Sequence, residues 1–332
     1  GNNGSFVMGT ADVNLYAVWS VTPAPVISAL KIATGGTYVL TPSPSVSCTI
    51  LSAGSGLKSI TLSGDVASLS SATVSINGTP LAGVLSGLTF TLSASTTETG
   101  SFQLTGVNLS TGDGLKTVYV SMTDSSGHTS TALSSSVTLD TAPPSVTAPS
   151  GPLYAKSGGS FTVSGNVSDS SGLASVSVSF PFADPLSVPA AVSGTSYTGT
   201  MSLQGGLSEG SYTYTVHATD NALRGTDASG SLHIDDTPPV INIVLVDGQT
   251  YSTSGGTADL IQGSTYTLSV SCGDSGGSGV DGVSFDNGVT YQVGTDLSIN
   301  PVGSTTYHLY VKDKAGNIGP AGGFQITIVG NP

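Results

Sequence analysis

Apolar and polar residues alternate along most of the chain in short runs, the pattern of strands that bury one face. Clear examples are Val13–Trp19, Val46–Cys48 and Tyr212–Ala218. We find no window with a sustained helical period, and Glu98 and Glu209 are the only glutamates, a residue type that favours helices. The pattern predicts an all-β protein whose turns are long and built from small residues.

The same order of predicted strands recurs three times. Each repeat has two early strands joined by a Gly/Ser-rich loop, then a late aromatic-rich strand that ends in an aspartate (Asp124, Asp220 or Asp313), then a final strand. A period of about 95 residues with about seven short strands is typical of an immunoglobulin-like (Ig-like) sandwich. We therefore predict tandem Ig-like β-sandwiches in an elongated array, preceded by an extra strand.

The predicted boundaries follow the repeats. The N-terminal strand occupies residues 1–20, and the three sandwiches occupy residues 21–140, 141–235 and 236–332. The first sandwich is enlarged, and we expect extra strands between Gly64 and Gly114. Four dipeptides predict hairpin turns: Asn77-Gly78, Asp113-Gly114, Asp281-Gly282 and Asn287-Gly288.

Composition narrows the classes of function. Charged residues make up 8% of the chain, the net charge is −13, and the 7 Lys and Arg residues do not cluster. These features argue against binding to nucleic acid or to an anionic membrane surface. Apolar runs stay far below the ~18 residues that a membrane-spanning helix needs, so we expect no membrane insertion by this segment. No export or anchoring signal is visible, which predicts a mature chain or a fragment.

The two cysteines, Cys48 and Cys272, lie in different predicted sandwiches, at matching positions of the repeat. They are therefore expected to be buried small side chains without a disulfide bond inside one sandwich.

Two joints carry a resemblance to a known family. They are Leu139-Asp140-Thr141-Ala142-Pro143-Pro144 and Ile234-Asp235-Asp236-Thr237-Pro238-Pro239. With the late-strand motifs at 124–128 (Asp-x-Ser-Gly-His) and 313–317 (Asp-Lys-Ala-Gly-Asn), they resemble the tandem bacterial Ig-like (Big-type) domains of large surface adhesins. The resemblance covers residues 21–332. It implies an extracellular location at the cell surface and a role in adhesion or spacing.

The N-terminal segment resembles a different family. Its pattern Phe-x-Met-(x)3-Asp-Val-x-Leu-Tyr-Ala-x-Trp, ending at Trp19, is similar to the tail of the β-grasp repeats of internalin-type surface proteins. The alternative is that residues 5–19 form a strand donated to the sheet of a neighbouring subunit.

Acidic residues at the joints predict metal binding. In an Ig-like sandwich, the loop between the second and third strands and the loop between the last two strands lie at the end where the chain enters. Loop acids should therefore meet the acids of the preceding joint, and carboxylates without a basic partner repel each other unless a cation joins them. We predict interdomain Ca2+ sites, against the alternative that these residues only shape turns. The predicted ligands are Asp140, Asp169, Asp220, Asp235, Asp236, Asp274 and Asp313. The first sandwich lacks an acid in its early loop, Leu51–Gly54, so its entry site should be weak or absent.

Catalysis is not expected. The run Gly273-Asp274-Ser275-Gly276-Gly277 matches the nucleophile loop of trypsin-like proteases, yet none of the four histidines lies in a segment that resembles that family's histidine motif. The sequence favours a non-catalytic stalk or adhesive segment of a bacterial surface protein with an unknown ligand. Two alternatives remain open. One is a filament subunit that donates residues 5–19. The other is a set of accessory carbohydrate-binding modules of a secreted enzyme. Such modules require exposed aromatic side chains on one face, and the chain has a single Trp.

Overall fold

The chain is built from β-strands. The structure, a computed structural model, describes residues 22–33, 36–251 and 254–332, so the predicted strand over residues 1–20 lies outside it. No helix occurs in the described residues, and therefore none there is long and apolar enough to cross a membrane. Two compact units are present, one ending at Thr141 and one running from Ala142 to Pro332.

The first unit is a sandwich of two main sheets. Its strands are β1 (Val26–Ile32), β2 (Tyr38–Val39), β3 (Val46–Ser52), β4 (Leu57–Gly64), β5 (Val66–Leu69), β6 (Val74–Ile76), β7 (Thr79–Leu81), β8 (Gly83–Ser86), β9 (Thr89–Thr96), β10 (Gly100–Leu104), β11 (Val107–Leu109), β12 (Gly114–Asp124) and β13 (Leu133–Leu139). One sheet has the order β1-β3-β10-β6-β7 and the other β2-β13-β12-β4-β9-β8, while β5 and β11 form a separate pair.

The second unit contains two sets of paired sheets. The strands of the middle sandwich are β14 (Ser145–Val146), β15 (Leu153–Ala155), β16 (Ser160–Ser168), β17 (Leu173–Ser179), β18 (Ser187–Pro189), β19 (Ala191–Ser193), β20 (Ser196–Ser202), β21 (Gly210–Asp220) and β22 (Gly225–Ile234). They form the sheets β14-β16-β20-β19 and β15-β22-β21-β17-β18.

The last sandwich completes the second unit. Its strands are β23 (Val240–Val246), β24 (Gln249–Tyr251), β25 (Gly256–Ile261), β26 (Tyr266–Gly273), β27 (Val280–Ser284), β28 (Asp296–Ile299), β29 (Ser304–Asp313) and β30 (Ile318–Asn331). They form the sheets β24-β23-β26-β28 and β25-β30-β29-β27.

Strand order makes all three sandwiches Ig-like, as predicted. In each, the first strand pairs antiparallel with the second long strand in one sheet, and a later short strand crosses over to run parallel with the last strand of the other sheet. The middle sandwich also has the tyrosine corner of this fold, because the Tyr212 hydroxyl donates a hydrogen bond to the Ser208 carbonyl oxygen (2.8 Å).

Alternation along the long strands builds the cores. On β12, for example, Val118, Val120 and Met122 are fully buried and the residues between them are more exposed. Each sandwich has its own apolar cluster, and the clusters are separate. The alternation that fills the core also buries the aspartate at the end of each late strand: Asp124, Asp220 and Asp313 are all buried.

The enlargement of the first sandwich takes the form predicted. Seven strands, β5 to β11, lie between β4 and β12, whereas three lie at the equivalent place in the middle sandwich and one in the last. Two of the hairpin predictions are wrong. Asp281-Gly282 lies inside β27, at a shift in register. Asp113-Gly114 lies at the start of β12, and β12 does not pair with the preceding strand β11. Asn77-Gly78 does join the paired strands β6 and β7.

Candidate metal centre within the second unit

Three aspartates of the second unit converge where the middle sandwich ends and the last one begins. Asp235 follows β22, Asp274 follows β26, and Asp313 ends β29. Each offers a carboxylate oxygen, and these oxygens lie within 4.8 Å of one another. Asp235 and Asp313 are 0% and 1% exposed, so their charges are shielded from water. The predicted meeting of the loop acids with Asp235 therefore occurs.

Backbone amides hold the carboxylates in place. Asp235 accepts hydrogen bonds from the N–H groups of Thr237 and Ser278, each at 3.0 Å. Asp274 accepts them from the N–H groups of Gly276 (3.0 Å) and Gly279. The loop that resembles a protease nucleophile loop thus serves to orient Asp274 beside Asp235.

Asp313 is held by one residue of its own turn. Its Oδ1 accepts a hydrogen bond from the Asn317 N–H (2.8 Å), and its Oδ2 accepts one from Asn317 Nδ2 (2.8 Å). Burial raises the pKa of Asp313 above its ordinary value, the negative charge of Asp235 raises it further, and the Asn317 hydrogen bonds oppose both effects. The ionised form of Asp313 is therefore disfavoured when no cation is bound.

No ion pair compensates this cluster among the described residues. The ion pairs His128–Asp124, His217–Asp227 and Lys312–Asp281 involve none of the three aspartates. Lys314, on the same loop as Asp313, places Nζ 5.7 Å from the centre of the Tyr154 ring. Buried carboxylates without a basic partner match what a hard cation such as Ca2+ requires, since Ca2+ takes oxygen ligands only.

Asp236 does not join the other three. Its Oδ1 accepts a hydrogen bond from the Ser157 N–H (2.7 Å), and its own N–H donates to Glu209 Oε1 (3.2 Å). Its side chain is exposed. Adjacent residues after a strand point in different directions, so only one of the two joint acids can enter the site.

The remaining predicted ligands are divided between the units. Asp140 follows the last strand of the first unit, β13, is buried, and has no hydrogen-bond partner for its carboxylate among the described residues. In the second unit, carboxylate oxygens of Asp169 and Asp220 lie within 4.8 Å of each other. Asp220 Oδ1 accepts a hydrogen bond from the Arg224 N–H (2.8 Å), while its buried Oδ2 has no hydrogen-bond partner there. The meeting of Asp140 with this pair stays a prediction.

The first sandwich has a closed version of the same turn. Asp124 Oδ1 accepts hydrogen bonds from the N–H groups of Ser126 (3.0 Å) and His128 (2.8 Å). Its Oδ2 accepts them from Ser55 N–H (3.1 Å) and His128 Nδ1 (3.2 Å). Burial raises the pKa of Asp124, but the hydrogen bonds from Ser55 and His128 outweigh it and hold the pKa well below its ordinary value. Ala53, from the early loop, is also buried.

A second arrangement on the middle sandwich has the appearance of a charge relay. His217 contacts Asp227 through Nδ1 and Thr219 Oγ1 through Nε2 (3.0 Å). These three side chains lie on the open face of β21 and β22, whose facing residues pair from Gly210 to Ile234. Acyl-transfer catalysis also needs N–H donors directed at the developing oxyanion, and a paired sheet face does not offer them. We therefore assign no catalytic role to His217, Thr219 and Asp227.

Sequence reasoning missed the residues that organise the cluster. Asn317, Ser278 and Gly276 were not singled out as site residues, although Asn317 ends the Asp-Lys-Ala-Gly-Asn motif. The spacing of four residues after the strand aspartate was the available signal. The backbone N–H of that residue bonds the aspartate in all three sandwiches.

Comparison with known proteins adds little to the strand order. No family model and no curated protein matches the chain. Among solved structures, the chain is similar to the I-band fragment I67–I69 from titin (15% identity, 93% of this chain and 97% of that one, TM-score 0.37). It is also similar to Sidekick-1 immunoglobulin domains 1–5 (13%, 92% and 58%, TM-score 0.39). A third is the fibronectin(III)-like modules of Clostridium thermocellum CbhA (12%, 57% and 94%, TM-score 0.36). At such scores these likenesses carry no argument about function.

Proposed function

We propose that this chain is a non-catalytic structural and adhesive segment of an extracellular bacterial surface protein, and that Ca2+ locks its middle sandwich to its last one. The single observation that carries the proposal is the convergence of Asp235, Asp274 and Asp313, within 4.8 Å of one another, without a basic partner among the described residues. The three tandem Ig-like sandwiches and the low content of charged residues, 8%, support the structural role.

The chemistry of the cluster supports the choice of cation. Asp235 and Asp313 are buried and Asp274 is partly buried. Like charges at this separation repel each other, and the repulsion is stronger than in water because the local dielectric constant is lower. A divalent cation bound to the three carboxylates removes the repulsion and adds attraction between the end of one sandwich and two loops of the next. Resistance of this joint to bending would then depend on Ca2+, which is the functional gain for a segment that projects a ligand-binding part from a cell.

Thermal unfolding of the whole chain tests the proposal. Calorimetry is run with millimolar Ca2+ and with chelator. The unfolding temperature of the second unit should be higher in Ca2+ than in chelator. Ligand at 100 times its Kd stabilises by about 2.7 kcal/mol. The variant Asp313→Asn should lose most of this gain, whereas Asp259→Asn, which changes an exposed aspartate of the same sandwich, should keep it. Identical transitions with and without Ca2+ in the unaltered chain would refute the calcium proposal.

A filament subunit is the second candidate, and one observation favours it. β10, β20 and β28 occupy equivalent places in the three sandwiches. In the first and middle sandwiches a further strand, β6 or β19, pairs with the outer edge of this strand. In the last sandwich β28 has no such neighbour among the described residues. The predicted donor strand, residues 5–19, contains the apolar alternation that such pairing requires. Trp19, the only tryptophan, reports the event: its emission should shift to the blue with rising protein concentration if the strand is donated. Concentration-independent emission and a monomeric mass would exclude donation.

A further inference from the structure

Asn317 connects the last sandwich to the end of the middle one. One hydrogen bond from its side-chain Nδ2 goes to Asp313 Oδ2 (2.8 Å), and another goes to the main-chain oxygen of Asp235 (2.7 Å). Its backbone N–H bonds Asp313 Oδ1 (2.8 Å). The residue is 9% exposed. A single neutral side chain thus holds two of the three acidic residues of the cluster.

This arrangement keeps the acidic residues together when no cation is bound. Without a cation, the carboxylates of Asp235 and Asp313 repel each other, which favours separation of the joint from the loop. A neutral double donor keeps the backbone of Asp235 beside Asp313 without cancelling the negative charge that a cation needs. Ligands that are already in place lose less conformational freedom when the ion arrives, so affinity rises.

The first sandwich shows the alternative use of the same position. There His128, four residues after Asp124, also donates through its backbone and its side chain. Both of those bonds go to Asp124, whose two oxygens also accept bonds from Ser55 and Ser126. The aspartate is satisfied within its own sandwich. At position 317 the side chain bonds the joint as well, and the acids of the loop and the joint remain available.

We infer that Asn317 is a positioning residue for the cation, which holds Asp235 and Asp313 at ligating distance before the ion binds. The inference rests on the proposed function, since it names the residue that prepares the same site. It assigns Asn317 no direct contact with the cation. The residue four positions after the strand aspartate then decides whether the turn is closed, as with His128, or prepared for a metal, as with Asn317.

Calcium affinity of the full chain tests the inference. In a calorimetric titration with CaCl2, Asn317→Ala should weaken binding at this site at least about ten-fold, the range found when a residue that supports metal ligands is removed. Asn317→His should do the same, because it keeps a donor for Asp313 and loses the one for Asp235. The matched control is Asn108→Ala, which removes an amide with two donor bonds, to Ser68 and Ser70. It should bind as the unaltered chain does. Unchanged affinity in both Asn317 variants would overturn the inference.

A metal-free measurement separates the inference from the proposed function. Hydrogen exchange in chelator should be faster in Asn317→Ala at Gly276, Ser278 and Gly279, whose backbone N–H groups bond Asp235 and Asp274. The control variant should exchange at the original rate. If the unaltered chain binds no Ca2+, the proposed function fails and this exchange alone judges the holding role of Asn317. Equal exchange rates would refute that role whether or not Ca2+ binds.

Discussion

Replacement of Gly276 by alanine is the most direct perturbation of the joint. An ideal Cβ on Gly276 would overlap Oδ1 of Asp235, its nearest atom, and would lie 2.5 Å from Cγ and 2.8 Å from Oδ2 of the same residue. Two carbon atoms that are not bonded need about 3.5 Å, so the loop and Asp235 must separate by about 1 Å. The backbone at Gly276 is outside the left-handed region, so crowding and not strain is what the variant tests.

The expected cost follows from the hydrogen bonds that cross this contact. Ser278 N–H bonds Asp235 Oδ2 at 3.0 Å, and His233 Nε2 lies 3.1 Å from the Gly276 carbonyl oxygen. A hydrogen bond to a charged group contributes about 1.5–3 kcal/mol. Alanine also has less conformational entropy than glycine in the unfolded chain, which stabilises the folded state by about 0.4–1 kcal/mol and offsets part of this loss. A net loss of about 2 kcal/mol would lower the transition of a unit of this size by about 4–8 °C.

Calorimetry of Gly276→Ala in chelator measures this shift, and Gly205→Ala is its control. A Cβ on Gly205 meets no atom within 4 Å, and that residue also avoids the left-handed region. The control should therefore melt at the original temperature or slightly above it. In Ca2+, Gly276→Ala should also show a smaller gain in stability, because the ligand Asp235 has moved. If the two variants unfold at the same temperature, the close packing of the loop on Asp235 does not stabilise the joint.

Three further predictions concern single residues. The pKa of Asp124 is lowered in the fold, so its stabilising effect is complete above the unfolded value of about 3.9 and is lost as the pH falls towards the folded value. The transition of the first unit should therefore fall more steeply below pH 4 in the unaltered chain than in Asp124→Asn, and parallel curves would contradict this. Tyr212→Phe removes the hydrogen bond to Ser208 and should destabilise the second unit by about 1 kcal/mol in denaturant titration. An unchanged denaturation midpoint would show that this hydrogen bond does not stabilise the unit. Burial raises the pKa of Cys48 to about 12, so a thiol reagent at pH 8 should label it only after unfolding, and rapid labelling of the folded chain would be the contrary result.

The repeat in the sequence predicted most of the fold. Alternation with a period of two identified the long strands, because each sandwich buries one face of each sheet. The short strands β5 to β8 were predicted only as an enlargement, since runs of three or four residues carry little periodic signal. Asp281-Gly282 shows the limit of turn signals: the pair occupies a register shift inside β27 because its strand partner, β29, continues past it.

The candidate site was predicted in part. Asp235, Asp274 and Asp313 could be grouped from the sequence because an Ig-like sandwich brings its early and late loops to the end where the chain enters. Asp236 could not be separated from Asp235, since the direction of a side chain after a strand depends on backbone angles that the sequence does not fix. The burial of Asp313 and its contact with Asn317 are likewise products of packing.

The sequence by itself determined the fold class, the repeat and the types of residue at the joints. These properties depend on local periodicity and on composition, both of which can be read directly from the sequence. Only the tertiary structure decided which acids meet, which stay apart, and which turn closes on itself. The physical reason is that these outcomes depend on distances of a few ångströms between residues far apart in the chain. Asn317 and Asp235, 82 positions apart, are joined by a hydrogen bond of 2.7 Å that no local pattern records.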